Sequence, residues 1–156
     1  MPLTIEPAST RELLESAKEL FREYSLTISA EVCIVDFARE VAGLPGQYGP
    51  PHGQLWVALD GHELAGCVGV RRLEDSICEM KRLFIRDTAR GAGLGRRMVH
   101  VAIDWAREAG YHEMRLDTLP KMEAAIGLYQ SIGFRRIPPY GAKPIPEALH
   151  FSLDIP

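Results

Sequence analysis

The chain has 156 residues, enough for one domain that buries roughly two-thirds of its unfolded surface. Its 46% hydrophobic and 25% charged residues read as globular, and a net charge of −3 disfavours a general nucleic-acid or anionic-membrane surface. No apolar run approaches the ~20 residues of a membrane span, and the N-terminal residues do not read as a signal peptide. Cys33, Cys67 and Cys78 form no CxxC or Cys/His metal spacing, so each reads as a small buried hydrophobe. Their odd, sparse count fits a reducing compartment. The expectation is one domain over residues 1–156, without a metal and cytoplasmic.

In chain order, residues 3–6 predict a first strand. Ser9-x-x-Glu12 has the spacing of a capping box, ahead of a helix with apolar positions Leu13, Leu14, Ala17, Leu20, Phe21 and Tyr24. A less regular helix follows over 29–42, then a Pro- and Gly-rich loop over 43–53. Residues 54–59 and 63–73 alternate as strands around the turn signal Asp60-Gly61. Glu74-Asp75-Ser76 turns the chain into a third strand over 77–85, completing an antiparallel meander. Further on, 113–118 reads as a strand. Pro120 opens a helix that carries Ala125, Leu128, Tyr129 and Ile132 and stops at Gly133. Residues 134–137 form a sixth strand, 138–146 a loop, and 149–153 the last strand.

The most informative stretch lies between the third strand and the main helix: Arg90-Gly91-Ala92-Gly93-Leu94-Gly95. Three glycines in five residues let the backbone turn tightly and bring its N–H groups close to a ligand. Apolar positions at Leu94, Met98, Val101, Ala102, Trp105, Ala106 and Ala109, closed by Gly110, mark the helix that follows. Helix N-termini favour anions, yet no acid stands between Thr88 and Ile103, while Arg90, Arg96 and Arg97 crowd this end. That composition predicts a bound anion; the alternative is a turn with solvated arginines. A nucleotide-hydrolysing P-loop needs Gly-Lys-Ser/Thr, and a dinucleotide fingerprint needs a glycine at Arg96, so neither fits.

The remaining pattern, Gln/Arg-x-x-Gly-x-Gly/Ala with Arg90, Gly93 and Gly95 in place, resembles the pyrophosphate loop of the GNAT superfamily of acetyl-CoA-dependent N-acetyltransferases. Ala125-Ile126-Gly127-Leu128-Tyr129-Gln130-Ser131-Ile132-Gly133-Phe134 is similar to a second segment of that family. The element order matches over essentially the whole chain. The resemblance implies an α+β (mixed α/β) GNAT fold, with a mostly antiparallel seven-stranded sheet, splayed central strands and about four flanking helices. It implies acetyl-CoA as co-substrate. Backbone groups of Leu83, Phe84 and Ile85 would hold the pantetheine arm, and Arg90, Gly91, Ala92, Gly93, Leu94, Gly95 and Arg96 the pyrophosphate.

For the chemistry, an amine of pKa near 10 must lose a proton before it attacks. Glu79, on the strand over 77–85, matches the position of the base glutamate in some family members; its alternative is a carboxylate paired with Lys81 or Arg82. Asp117, or a water chain, is the second candidate. Tyr129 matches the tyrosine that often protonates the departing thiolate, with core packing as its alternative. His52, His62, His100, His112 and His150 share no spacing and read as surface or packing residues.

The reading is an acyltransferase that acetylates a primary amine of a small molecule by direct attack in a ternary complex. A non-catalytic acyl-CoA sensor and a protein lysine or N-terminal acetyltransferase stand as alternatives, and a homodimer is left open. The acceptor pocket would draw on residues 25–53 and 138–147. Arg71, Arg72, Lys81 and Arg82 cluster on strands leading to the cleft. If some face it, the acceptor also carries a carboxylate or phosphate; otherwise they form a solvated edge balanced by Glu74, Asp75 and Glu79.

Overall fold

Alternation along the strands sorts side chains onto two faces of one sheet. The computed structural model describes residues 2–27, 34–141 and 147–156. Strands β1 (Leu3–Pro7), β2 (Gln54–Asp60), β3 (Glu63–Glu74), β4 (Ile77–Ile85), β5 (Glu113–Thr118), β6 (Arg135–Ile137) and β7 (Leu149–Asp154) lie in the order β1-β2-β3-β4-β5-β7-β6. Pairing is antiparallel except between β4 and β5. Helices α1 (Arg11–Thr27), α2 (Ile34–Ala42), α3 (Leu94–Glu108) and α4 (Glu123–Ile132) flank the sheet, giving the expected mixed α/β architecture. Residues 29–33 of the predicted second helix and 142–146 of the predicted last loop lie outside the described residues.

Two apolar cores form, one per face. On one, Trp56, Val70, Met80, Met114 and Phe151 meet α3 and α4. On the other, Leu55, Val57 and Cys67 meet Ala17, Leu20 and Phe21 of α1 and Phe37 and Val41 of α2. The buried stripe of α3 is Leu94, Met98, Val99, Ala102, Ile103 and Ala106. Val101 and Trp105 stand at its rim and Ala109 is exposed, because the helix is rotated towards Val99 and Ile103 over the sheet.

Two helix starts differ from the sequence expectation. Thr10, not Ser9, caps α1: its Oγ1 accepts from the Leu13 N–H at 3.1 Å, while the Ser9 N–H is spent on the Pro7 carbonyl at 2.8 Å. Glu12 therefore falls one residue short of the capping-box position. Pro120 begins a turn rather than a helix; the Met122 N–H bonds the Leu119 carbonyl at 2.9 Å, and α4 starts at Glu123.

The sheet is interrupted where it matters most. β4 and β5 pair only at Ile77/Glu113, Cys78/Met114 and Glu79/Arg115, although both strands run on. On its other side β4 carries an extra residue: Gly69 faces Lys81 but Cys67 faces Phe84. Within this bulge Arg82 adopts φ +63°, a left-handed conformation costing about 1–2 kcal/mol for a residue with a Cβ. Its guanidinium is held in place: Nε and one terminal nitrogen donate to both Glu40 oxygens at 2.9 and 3.1 Å, and its carbon lies 4.9 Å from the Phe37 ring centre.

Beside the bulge, Tyr48 is fully enclosed, edge-on to Phe21 with ring centres 5.9 Å apart. Gly69 makes room for it, since a Cβ there would lie 2.8 Å from a Tyr48 ring carbon. Because the added methyl forces the enclosed Tyr48 ring to shift, Gly69→Ala is expected to cost about 1–3 kcal/mol, read as a lower urea midpoint at unchanged slope.

Candidate active site

The glycine stretch forms the end wall of a cleft. A short 3₁₀ turn, Asp87–Ala89, leaves β4. Gly91 at φ +87° and Gly93 at φ +75° then swing the chain into α3, with Gly93 as an N-cap that no side chain caps. A Cβ at either glycine would meet nothing within 4 Å, so the backbone there faces open space. Gly95 is different: its Cβ would lie 3.3 Å from Leu128, so this glycine serves the approach of α3 to α4.

The cleft is a cavity of about 480 Å³. Leu83, Phe84, Ile85, Arg90, Gly91, Gly93, Leu94, Gly95 and Arg96 line it, together with Ala125 and Leu128 of α4. Of the sequence-predicted cofactor residues only Ala92 stands outside this lining. Arg96 reaches Ser131 Oγ at 2.7 Å and Arg90 lies 3.2 Å from Asp87. Arg97 turns away to donate to the Leu3 carbonyl at 3.1 Å, so it does not belong to this wall. Lys121, which no motif marks, lines the cleft from the turn after β5.

Where β4 and β5 part, a smaller cavity of about 40 Å³ opens through the sheet. Met80, Leu83, Met122 and Tyr129 line it from the α3–α4 side; Tyr24, Lys81 and Asp117 line it from the α1–α2 side. Tyr129 is buried, packed against Phe134 at 5.7 Å. Burial pushes its hydroxyl well above the usual phenol range, and the charge of Asp117 adds to this, so it stays protonated.

Glu79 occupies the last rung before the strands part and does not line this gap. The only buried polar residues described are Glu79, His150 and Ser152, and strand parity puts all three on the α1–α2 face, beyond the helices' cover. Glu79 Oε1 accepts from Arg71 Nε at 2.7 Å, Oε2 accepts from the Tyr140 hydroxyl at 2.5 Å, and Lys81 Nζ stands 3.8 Å away. Burial pushes the Glu79 carboxyl up, but the charges of Lys81 and Arg71 and the bonds from Tyr140 and Arg71 outweigh it and hold the carboxyl below its usual range. His150 packs edge-on against Tyr140 at 5.0 Å; His52, His62, His100 and His112 are exposed.

The four basic residues singled out in the sequence divide. Arg82 is closed onto Glu40, and Arg72 onto Asp75 at the hairpin tip. Arg71 and Lys81 alone converge on Glu79. Tyr140 was not legible as a Glu79 partner, since it comes from a loop without a motif. Arg71 stood in the cluster that Glu79 could balance, but its selection over Arg72 and Arg82 depends on strand register.

A family model described as acetyltransferase (GNAT) family matches residues 14–134. An uncharacterised N-acetyltransferase of Schizosaccharomyces pombe is 36% identical over 155 residues, spanning 98% of this chain and 95% of its own. Among solved structures, a GNAT-family acetyltransferase of Staphylococcus aureus aligns with a TM-score of 0.81 at 20% identity, over 99% of this chain and 100% of its own. A Salmonella typhimurium acetyltransferase, solved with acetyl-CoA, aligns with a TM-score of 0.76 at 19% identity, over 99% and 94%. The chain belongs to the GNAT acetyltransferase family and is an acyltransferase of the N-acetyltransferase type. No helix among the described residues is long and apolar enough to cross a membrane.

The environment of Glu79 has a consequence for stability. A carboxyl held low in the folded state stabilises the fold above its unfolded pKa, about 4.3, and loses that contribution as pH falls through the folded value. Glu79→Gln is expected to lower stability by about 1.5–3 kcal/mol at pH 7, the scale of hydrogen bonds to a charged group. The difference from wild type should narrow below about pH 4, measured by urea unfolding across pH.

Proposed function

We infer that the chain transfers an acetyl group from acetyl-CoA to the primary amine of a small molecule by direct attack. The observation that carries this reading is the gap between β4 and β5. It is lined by Tyr129 on one face and Asp117 on the other, and Leu83 and Met122 line both this gap and the larger cleft. The cleft suits the co-substrate: an uncapped helix end, two glycines open to solvent and a wall of strand backbone left without its neighbour.

Acetyl-CoA would supply the acetyl group as an activated thioester. The N–H groups from Gly91 through Arg96 hold the pyrophosphate at the positive end of α3, and the backbone of Leu83, Phe84 and Ile85 bonds the pantetheine arm. Ala92 contributes through its backbone alone. The Tyr129 hydroxyl, kept protonated by burial, donates to the departing sulfur. On the far side of the gap Asp117 takes the proton that the acceptor ammonium must lose. Glu79, the sequence's first candidate for that step, has both oxygens engaged and a carboxyl held low, which makes it a weak base. It acts instead as a positioning residue for Arg71 and Lys81. The active unit is one domain over residues 1–156, working in the cytoplasm.

Two measurements test this reading. Acetyl-CoA at 100 times its Kd is expected to stabilise the fold by about 2.7 kcal/mol, seen as a raised Tm. Gly93→Ala and Gly93→Glu both lower the ligand-free Tm, because φ is positive there, but only Gly93→Glu abolishes the response. An equal response in wild type and Gly93→Glu would remove the glycine loop from the cofactor site.

The second is an acceptor screen that follows release of free CoA. With a good acceptor, Asp117→Asn is expected to slow turnover by about 10²-fold near pH 7 and to recover as pH approaches the amine's pKa near 10. Tyr129→Phe slows turnover at all pH values and improves with an acyl donor whose thiol leaves more readily. If Glu79→Gln, rather than Asp117→Asn, shows the pH rescue, the base is Glu79.

A further inference from the structure

Beyond the closed pairs, four charges among the described residues remain on the α1–α2 face of the sheet around the gap. Arg82 is matched by Glu40 and Arg115 by Glu113, the latter at 2.7 Å, so both pairs are locally neutral. Arg71 and Lys81 share the single carboxylate of Glu79, which leaves one positive charge in excess on β3 and β4. Asp117, across the gap on β5, forms no ion pair among the described residues. Two cations thus face two carboxylates, with the positive excess on one side of the opening and the negative on the other.

Among the described residues, both cations also keep donors to spare. Lys81 Nζ, at 3.8 Å, lies outside hydrogen-bond reach of Glu79, and its side chain is 19% exposed at the edge of the gap. Arg71 uses Nε on Glu79 and one terminal nitrogen on Gln47 at 3.2 Å, leaving its other terminal nitrogen free of any described partner. Glu79 is held by Tyr140 on its second oxygen and by Arg71 on its first, so it anchors Arg71 and attracts Lys81 by charge alone, with no oxygen left over for an amine.

Granted the N-acetyltransferase reading above, we propose that the acceptor is a zwitterionic amino acid, its ammonium beside Asp117 and its carboxylate between Lys81 and Arg71. One excess positive charge matches one carboxylate. A phosphate dianion would exceed it, and a polyamine would meet it with like charge. The ammonium first gives one proton to Asp117. The amine lone pair then attacks the thioester carbonyl carbon and the carbon–sulfur bond breaks. The Tyr129 proton goes to sulfur, and the second nitrogen proton, lost as the amide forms, restores the Tyr129 hydroxyl. The acetylated product keeps its carboxylate on Lys81 and Arg71.

The test compares matched acceptors with the full chain and acetyl-CoA: amino acids, their C-terminal amides, the corresponding decarboxylated amines and aminophosphonates. The amide has the less basic amine, so amine availability alone would favour it near neutrality. The acid is nevertheless expected to exceed its amide in kcat/KM by about 10- to 100-fold, the scale of a hydrogen bond to a charged group. In Lys81→Met this advantage collapses towards unity through KM, and Lys81→Arg restores part of it. Unfolding curves confirm that both variants fold.

Wild type acetylating amides, plain amines or aminophosphonates as well as the acids would overturn the carboxylate site and leave the acetyltransferase reading intact. An acid preference that survives Lys81→Met would overturn the assignment to Lys81. If no small amine of any series releases CoA although acetyl-CoA still raises Tm, the small-molecule reading fails and the amino-acid acceptor with it.

Discussion

The structure depends on two neighbouring strands that stop pairing while both continue. β4 and β5 share three rungs and then separate, which leaves backbone donors and acceptors on the facing edges without a strand to pair with. In most sheets this would be a defect. Here the separation is accompanied on the opposite edge of β4 by a bulge, where the extra residue at Arg82 bends the strand and the left-handed φ is clamped by Glu40, Phe37 and Tyr24. The clamp reaches across to α2, so the second helix holds the bulge as well as covering the core.

From that gap follows the arrangement of charge. A sheet separates its two faces completely, and side chains on opposite faces cannot meet except at an opening. The gap lets the buried hydroxyl of Tyr129, supported by the α3–α4 core, share a cavity with Asp117 and Lys81 on the other face. Where α1 and α2 end their cover, the same face turns from Leu55, Val57 and Cys67 to Arg71, Glu79 and Arg115. Burying Glu79 is tolerable only because each of its oxygens is hydrogen-bonded and two cations lie close by. That network gives the polar face a fixed geometry rather than a solvated one.

The sequence was most legible where the signal is local. β4 and β5 fall on the predicted residues, Gly110 and Gly133 end their helices with φ of +95° and +121°, and the glycine loop leads into α3. Caps were less legible, because Ser9 and Thr10 offer the same hydroxyl and only the path of the chain after Pro7 selects between them. The Glu79 pairing shows the limit more sharply. Counting back from the turn pair Glu74/Ile77 with no irregularity would set Arg72 opposite Glu79. An extra β3 residue at the hairpin shifts the register by one, so Arg71 takes that place and Arg72 falls to Asp75.

What the chain's residues determined by themselves was the set of elements, the uncapped, glycine-rich entry to α3 and the family to which both motifs belong. These rest on periodicity, turn chemistry and backbone freedom, which act over a few residues. What only the tertiary structure decided was which polar groups meet: Glu40 with Arg82 across 42 positions, Tyr140 with Glu79 across 61, and Arg97 with the Leu3 carbonyl across 94. Bulges set strand register, and register sets the face on which a side chain stands. A shift of one residue therefore moves a charge from the site to the solvent, and no local pattern encodes it.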